Sequence, residues 1–224
     1  MCPFCYIGKR RFDDALAQFP HADKVTVNWR SFQLNPNLQT APGTNINQYL
    51  AEQKGWTEAY ARQANQQVTE MAKDSRLEYH LDKAVVANTF KAHRFIHLAA
   101  TQNLAGAAEE ALFKAYFTEG KNIDDNEMLQ TLGRQIGLEE EKIKQTLESD
   151  AFAEEVKNDQ DMAVQLGIRG VPFFVFENKY AVSGAQPTEM FLQTLQQVWQ
   201  EISTDASNLS NVSGNNACSL DENC

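Results

Sequence analysis

The stretch Met1-Cys2-Pro3-Phe4-Cys5-Tyr6 opens the chain and leads into a helical pattern over residues 7–19. Two cysteines at this spacing can close a small disulfide. A helix N-terminus stabilises a thiolate through its free backbone N–H groups and its dipole, which makes Cys2 the candidate nucleophile. Cys5 lies one turn further into the helix, where it can resolve a mixed disulfide formed at Cys2.

The bulk composition is that of an ordinary globular protein. The chain has 224 residues, more than a usual single domain, of which 42% are hydrophobic and 22% charged. No apolar run is long enough to span a bilayer, so no membrane partner is expected. The formal net charge of -10 argues against nucleic-acid binding, which needs a basic surface. The basic run Lys9-Arg10-Arg11 is expected on a solvated helix face.

The four cysteines form two pairs at opposite ends of the chain, Cys2 with Cys5 and Cys218 with Cys224. This is not the dense spacing of a secreted disulfide scaffold, and it indicates redox or metal chemistry. The four thiolates together could bind a structural zinc, but Pro3 and the loose spacing of the second pair fit such a site poorly. No cofactor is expected. No signal segment precedes Cys2, so the expected localisation is cytoplasmic.

The pattern after the first helix changes from strand to helix. Residues 24–34 place Val25, Val27 and Trp29 on one face with period two, which predicts a strand. From residue 46 to residue 166 the pattern is helical, interrupted by turn signals.

A strand pattern returns near the end of the chain. Residues 171–176 and 180–183 predict a hairpin, and residues 187–202 predict an amphipathic helix. The Ser/Asn-rich remainder from residue 203 has too little apolar surface to offset its ordering entropy, so a mobile tail is expected.

This order of elements is that of a thioredoxin fold with a helical insertion, and five motifs make the likeness specific. Together they resemble the DsbA-family oxidoreductases of the FrnE-like branch, with a match over residues 1–202. The motifs are CPFCYIGKRRF (2–12), WRSFQLNP (29–36), NTFKAHR (88–94), GVPFF (170–174) and VSGAQ (182–186).

The resemblance implies an α/β, thioredoxin-like fold with a large all-helical insertion domain. The thioredoxin-like domain is expected in residues 1–44 and 167–203, the helical insertion domain in residues 45–166, and a flexible tail with the second cysteine pair in residues 204–224. Such a fold normally places a β-strand before the Cys-x-x-Cys motif, where this chain has only Met1. The first strand is therefore expected to be missing from this chain, and the natural protein to begin earlier.

The resemblance also implies the activity, thiol-disulfide exchange with protein or small-molecule thiols and disulfides, and glutathione is a further candidate partner. In the family, a cis peptide bond precedes the proline of the Val-Pro strand. The Val171-Pro172 bond is therefore expected to be cis and to present the Val171 backbone to a substrate. The residues alone would favour an ordinary trans proline at the start of a strand. The expected catalytic residues are Cys2, Cys5 and Pro172, with Val171, Pro3 and Phe4 in contact with the substrate.

Two further expectations follow from the family. Some FrnE-like proteins carry a second cysteine pair near the C-terminus, so Cys218 and Cys224 are a possible redox relay that exchanges with Cys2. A tail disulfide without a catalytic part is an equal alternative. The dipeptide Pro3-Phe4 replaces the Pro-His of the strongly oxidising periplasmic members, so a milder oxidant is expected.

Three alternatives remain open from the sequence. The related kappa-class glutathione transferases and 2-hydroxychromene-2-carboxylate isomerases use a serine where Cys2 stands, and the presence of both Cys2 and Cys5 argues against them. A holdase could bind unfolded chains without redox turnover. His93 and His97 have the spacing of a two-histidine metal site, but no carboxylate motif accompanies them, so packing is expected rather than metal binding.

Overall fold

The computed structural model describes residues 1–214. In this part of the chain helices predominate, and two strands form a small antiparallel sheet. No helix in this part is both long enough and apolar enough to traverse a bilayer. The helices are α1 (Pro3–Gln18), α2 (Ile46–Lys54), α3 (Glu58–Asp74), α4 (Phe90–Ala100), α5 (Ala105–Phe117), α6 (Asn126–Gln135), α7 (Glu140–Glu148), α8 (Ala153–Gln165) and α9 (Thr188–Gly214), and the strands are β1 (Phe173–Phe176) and β2 (Tyr180–Ser183).

Helix α1 begins directly after Cys2, as the sequence predicts. Pro3 occupies its first position, where the missing N–H costs no intrahelical hydrogen bond. Cys2 is the N-cap residue, with an extended backbone (φ -95°, ψ 117°), and its carbonyl oxygen accepts a hydrogen bond from the Cys5 N–H at 3.1 Å. The Cys-x-x-Cys motif therefore forms the first turn of the helix.

The predicted hairpin is present and consists of β1 and β2. Phe176 pairs with Tyr180, and the Lys179 N–H donates to the Phe176 carbonyl at 3.0 Å. The two residues at the centre of the turn, Glu177 and Asn178, have φ values of 48° and 53°. Two positive φ values are those of a type I′ turn, whose twist matches that of a hairpin.

The strand predicted over residues 24–34 is absent. Ala22–Lys24 forms a short 3₁₀ turn, and the residues after it belong to neither strand of the sheet. The Ser31 amide donates to the Asp159 carboxylate at 2.8 Å instead of to a neighbouring strand. Among the described residues, neither strand of the sheet pairs with this segment. Alternation of apolar and polar residues indicates the two faces of a strand, but a strand also requires a neighbouring strand to which its backbone can hydrogen-bond.

Residues 46–166 contain helices and no strand, so the predicted helical character of this segment is confirmed. Asp125 is the N-cap of α6, because its side chain accepts a hydrogen bond from the Met128 N–H at 2.8 Å. The division of the chain into domains at residues 44/45 and 166/167 stays a prediction.

Helix α1 contributes to two clusters of buried apolar side chains. Its Tyr6 and Ile7 belong to a helical cluster, formed otherwise by residues 68–147. Its Phe12 and Ala15 belong to a hairpin cluster, together with Phe19 and with apolar residues of β2 and α9. The first half of α1 therefore packs into one core and the second half into the other.

Helix α9 continues to Gly214, past Ile202, where the sequence predicted it to end. Residues 203–214, predicted to be part of the tail, are therefore helical. Cys218 and Cys224 lie outside the described residues.

Gly8 allows α1 to lie directly against the Pro172 segment. A Cβ atom at position 8 would lie 3.0 Å from Pro172 Cγ and 3.3 Å from Phe174 Cζ. Because both distances are shorter than ordinary carbon contacts, a side chain at this position would push α1 away from β1.

Gly8→Val is expected to lower the free energy of unfolding by about 1–3 kcal/mol, the usual range for an overpacked site. Urea or thermal unfolding measures this. Gly170→Ala is the matched control, since a Cβ there meets no atom within 4 Å, and its stability should stay within about 0.5 kcal/mol of the wild type. A Gly8→Val protein as stable as the wild type would contradict this close contact.

Candidate active site

The two cysteines of the first turn lie beside the Val171-Pro172 peptide bond, which is cis, as predicted. Cys2 and Cys5 are free thiols, both partly buried, and the Cys2 Sγ donates a hydrogen bond to the Val171 carbonyl oxygen at 3.4 Å. Pro172 is buried. The structure thus brings Cys2, Val171 and Pro172 together, and the role of each stays a prediction.

The residues between the cysteines differ in exposure. Pro3 is partly buried, whereas the Phe4 side chain is 41% exposed. An exposed aromatic ring next to a nucleophile offers an apolar surface to a bound molecule.

The two thiols have opposite pKa shifts because one hydrogen bond joins them. The Cys5 thiol donates to the Cys2 sulfur and stabilises the Cys2 thiolate. This hydrogen bond, with help from the backbone N–H groups of Cys5 and Phe4, lowers the pKa of Cys2 to about 7, although burial opposes it. The same hydrogen bond, burial and the charge of Cys2 raise the pKa of Cys5 well above its usual value. Near neutral pH, Cys2 is therefore partly ionised, whereas Cys5 keeps its proton.

Tyr79 holds the first turn of α1 in place. Its hydroxyl donates a hydrogen bond to the Pro3 carbonyl oxygen at 2.7 Å, and its ring stacks on Phe117 with centroids 4.8 Å apart. Burial raises the pKa of Tyr79, so the hydroxyl keeps its proton. Tyr79 belongs to no motif recognised in the sequence, and nothing in the sequence pattern indicated this contact.

The basic run of α1 was expected on a solvated face, and this is wrong for Lys9, which is only 7% exposed. Its Nζ lies 2.7 Å from Asp13 Oδ2 and 2.9 Å from Glu110 Oε2 of α5. Glu110 Oε1 also accepts hydrogen bonds from Arg10 and from the Tyr6 hydroxyl, each at 2.6 Å. Lys9 is buried because α5 packs against this side of α1.

Glu109, the neighbour of Glu110, was not recognised from the sequence. It is only 7% exposed, and burial raises the pKa of its carboxyl to about 7. The Glu109 charge is also one of the causes that raise the pKa of Cys5. A signal was present, because Glu109 stands three and four residues before the buried Leu112 and Phe113 and so lies on the apolar face of α5.

The motif of residues 88–94 has mainly structural contacts. Asn88 donates to the Leu38 carbonyl at 2.7 Å and accepts from the Phe90 N–H at 2.8 Å, which holds the loop before it. Arg94 is buried and donates to the carbonyl oxygens of Thr146, Ser149 and Ala151. A cavity of ≈ 540 Å³ adjoins Asn88, and its lining consists of Gln33, Pro36, Leu38, Gln39, Thr40, Asn88, Phe90, Lys91 and Asp124.

Ser31, His97 and Asp159 resemble a hydrolase triad in composition but not in geometry. Ser31 Oγ and Asp159 Oδ2 lie 3.1 Å and 3.2 Å from the same atom, Nε2 of His97. A triad requires the serine and the carboxylate on opposite ring nitrogens. His93 is partly buried, its Nδ1 atom is buried and unpartnered in the described structure, and desolvation lowers its pKa to about 4. No group of three metal-ligating side chains occurs within the part of the chain that the structure describes.

Cys5→Ala is expected to raise the pKa of Cys2 from about 7 towards the 9.0 of an ordinary thiol, because the main stabilising hydrogen bond is removed. The pH dependence of thiolate absorbance, or of the alkylation rate by iodoacetamide, measures this pKa. Cys5→Ser keeps a hydroxyl donor and should hold the pKa lower than Cys5→Ala does. If the alanine and serine variants gave the same Cys2 pKa as the wild type, the hydrogen bond would not be its cause.

The fold and the position of the cysteines define a thioredoxin-like protein with a DsbA-like helical segment. The family model described as the DSBA-like thioredoxin domain matches residues 1–196. The chain belongs to this family, as the sequence motifs predicted. Its assignment to the FrnE-like branch stays a prediction.

Solved structures and a curated relative are similar to this chain. The probable DsbA oxidoreductase SCO1869 from Streptomyces coelicolor is 37% identical with a TM-score of 0.83, over 89% of this chain and 86% of that chain. The cytosolic disulfide reductase DsbM from Pseudomonas aeruginosa shares the fold, with 14% identity and a TM-score of 0.59, over 92% of this chain and 95% of that chain. The uncharacterized protein YwbO from Bacillus subtilis (strain 168) is 24% identical over 193 residues, which are 85% of this chain and 89% of YwbO. The findings support a thiol-disulfide oxidoreductase in general.

Proposed function

We propose that this protein is a cytoplasmic thiol-disulfide oxidoreductase that reduces disulfides of proteins or small molecules, with glutathione among its candidate partners. The observation that carries the proposal is the contact of Cys2 Sγ with the Val171 carbonyl oxygen at 3.4 Å. It puts the sulfur of lowest pKa next to a stretch of backbone that can bind an extended chain.

The backbone at Val171 supports this role. No backbone hydrogen bond within the described residues uses the Val171 N–H, whereas the next carbonyl, that of Pro172, already accepts from the Gly184 N–H at 2.8 Å. A substrate segment can pair with the free Val171 N–H as a strand adds to a sheet edge. The exposed Phe4 ring, two residues after Cys2, offers an apolar contact to the substrate.

The reaction has two steps. The Cys2 thiolate attacks one sulfur of the substrate disulfide, the substrate S–S bond breaks, and the other sulfur leaves as a thiolate that takes up a proton. Cys5 then attacks Cys2 Sγ, which releases the second substrate thiol and closes the Cys2–Cys5 disulfide. An external thiol reductant returns two electrons to the pair. Oxidation of dithiols uses the same atoms in reverse.

The pKa of Cys2 favours the reducing direction. Strong stabilisation of the thiolate makes the reduced form of the cysteine pair stable and its disulfide strongly oxidising. In DsbA the reactive cysteine has a pKa of about 3.5 and the disulfide a reduction potential of about -120 mV. In thioredoxin the reactive cysteine has a pKa of about 7 and the disulfide a reduction potential of about -270 mV. The Cys2 pKa of about 7 therefore favours a potential towards the reducing end.

The reduction of insulin by dithiothreitol tests this function. The wild type is expected to accelerate the turbidity caused by the released B chain, and Cys2→Ser to return the rate to that without enzyme, because the nucleophile is lost. Cys5→Ser should accumulate a mixed disulfide at Cys2, detectable by mass spectrometry. Acceleration by Cys2→Ser equal to that of the wild type would contradict the proposal.

Two other outcomes would favour the alternatives. Glutathione transfer or isomerisation that survives Cys5→Ser would favour the transferase and isomerase group. Suppression of aggregation by the double variant Cys2→Ser/Cys5→Ser, without redox turnover in the wild type, would favour a holdase.

The role of the second cysteine pair is a separate part of the proposal. If Cys218 and Cys224 exchange with the Cys2–Cys5 disulfide, replacing both by serine should slow multiple turnover while a single turnover at Cys2 proceeds at the wild-type rate. Stopped-flow and steady-state measurements separate the two. Unchanged steady-state turnover would reject the relay.

A further inference from the structure

Arg11 of α1 joins three parts of the structure through one guanidinium group. Its Nη1 atom donates to the Ala185 carbonyl oxygen at 2.6 Å, and its Nε atom donates to the Ser75 hydroxyl oxygen at 3.2 Å. Ala185 belongs to the β2–α9 segment, residues 184–187, whereas the buried Ser75 is the C-cap residue of α3. Arg11 therefore ties the β2–α9 segment to α1 and to the end of α3.

The β2–α9 segment in turn holds the backbone beside the reactive thiol. The Gly184 N–H donates to the Pro172 carbonyl oxygen at 2.8 Å. The preceding carbonyl, that of Val171, lies 3.4 Å from Cys2 Sγ. A displacement of Ala185 would therefore change the position of the Val171-Pro172 segment relative to the thiol.

The shape of a guanidinium group suits this position. Its N–H groups lie in one plane with fixed directions, so one side chain can bind two acceptors that are far apart in the sequence. A hydrogen bond from a charged donor is also stronger than one between neutral groups. Because Arg11 is partly buried, water competes less for the Ala185 carbonyl than it would at an exposed site.

A second arginine joins the same two helices without binding the β2–α9 segment. The Nη2 atom of Arg76 lies 2.6 Å and 2.8 Å from the two carboxylate oxygens of Asp14 on α1. Among the described residues, the hydrogen bonds of the Arg76 side chain go to Asp14. The contact that distinguishes Arg11 is therefore its bond to Ala185, since α3 is attached to α1 in another way as well.

We propose that Arg11 is a positioning residue of the active site, which acts through the Ala185 carbonyl. It holds the Val171-Pro172 segment at the distance from Cys2 at which a substrate disulfide, paired with the Val171 N–H, meets the attacking sulfur. This proposal rests on the proposed function, because it assumes that the Val171 backbone binds the substrate chain.

A chromogenic peptide disulfide tests this role. The probe is a short extended peptide whose single cysteine is joined in a mixed disulfide to nitrothiobenzoate, the better leaving group. Attack by Cys2 on the peptide sulfur releases the coloured nitrothiobenzoate. The rate of the corresponding Cys2→Ser protein is subtracted to remove the reaction of other thiols. Dithiobis-nitrobenzoate, which has no peptide backbone, is the reference substrate.

Arg11→Met is expected to lower kcat/KM for the peptide by about tenfold, the order of one misplaced hydrogen bond to the substrate. The rate constant with dithiobis-nitrobenzoate should stay within about twofold of the wild type, because this substrate does not use the Val171 backbone. Equal losses with the two substrates, or no loss with the peptide, would overturn the proposal.

Two variants separate positioning from a general effect on the fold. Arg76→Met, the matched control, removes an arginine contact between the same helices, and it should leave both rates at wild-type values even where the melting temperature falls. Arg11→Lys keeps a charged donor but cannot reproduce the guanidinium fork, so its peptide rate should lie between those of the wild type and Arg11→Met. A loss in Arg76→Met equal to that in Arg11→Met would contradict the role of the Ala185 contact.

Amide hydrogen exchange measures the positioning without a substrate. Arg11→Met should accelerate exchange at Gly184, whose N–H binds Pro172, more than at Leu112 in the helical cluster. Equal acceleration at the two amides would indicate a global loss of stability and would overturn the proposal. If Arg11→Met does not fold, the same comparison is made in Arg11→Lys, where unchanged exchange at Gly184 would overturn it.

The kinetics also distinguish failure of the proposed function. If the wild type released nitrothiobenzoate from the peptide no faster than Cys2→Ser, the proposed function would fall, and the role of Arg11 with it. Release that depends on Cys2 and is equally fast in Arg11→Met would overturn only the role of Arg11.

Discussion

The contact between α1 and Pro172 determines where the reactive sulfur lies. The helix approaches the proline ring as closely as it does because position 8 has no side chain. Cys2 is the N-cap of the same helix, six residues before Gly8 and about 9 Å away along the helix axis. The hairpin holds the other partner, since the Gly184 N–H binds the Pro172 carbonyl. The Cys2–Val171 contact depends on both, and with it the chemistry at the site.

Two adjacent carboxyls of α5 have opposite environments. For Glu110, burial acts against ionisation, but hydrogen bonds from Tyr6 and Lys9 outweigh it and lower the pKa. For Glu109, burial prevails and raises the pKa. Glu110 attaches α5 to α1, whereas no hydrogen bond or ion pair within the described residues involves the Glu109 side chain. A difference of one residue along a helix, about 100° of rotation, separates these two environments.

Local patterns predicted the parts of the structure that depend on local chemistry. The Cys-x-x-Cys motif at the helix start, the turn between β1 and β2 and the helices of the middle segment all follow from short-range signals. The strand over residues 24–34 was wrong because strand formation depends on a distant partner, which the alternation of Val25, Val27 and Trp29 does not reveal. The cis bond at Pro172 came from the family motif, since the residues alone favoured trans.

The site was predictable in its sulfur chemistry and less so in its surroundings. Cys2, Cys5 and Pro172 were named from motifs, and the structure brings Cys2 next to the segment that contains Pro172. Burial of Lys9 and Glu109 was missed because a charged residue is exposed by default, and only the packing of α5 on α1 reverses this. For Glu109, helical periodicity carried the information, since it shares a face with Leu112 and Phe113.

The sharing of α1 between the helical cluster and the hairpin cluster has a consequence for cooperativity. Unfolding of either core would release the half of α1 that packs into it. Because both halves belong to one continuous set of backbone hydrogen bonds, the stabilities of the two cores are coupled. A substitution at Trp199, which packs against the hairpin cluster beside Phe19, is therefore expected to change the population of locally open states of α1 as a whole. The reactivity of Cys2 and the integrity of a distant core become linked equilibria of one molecule.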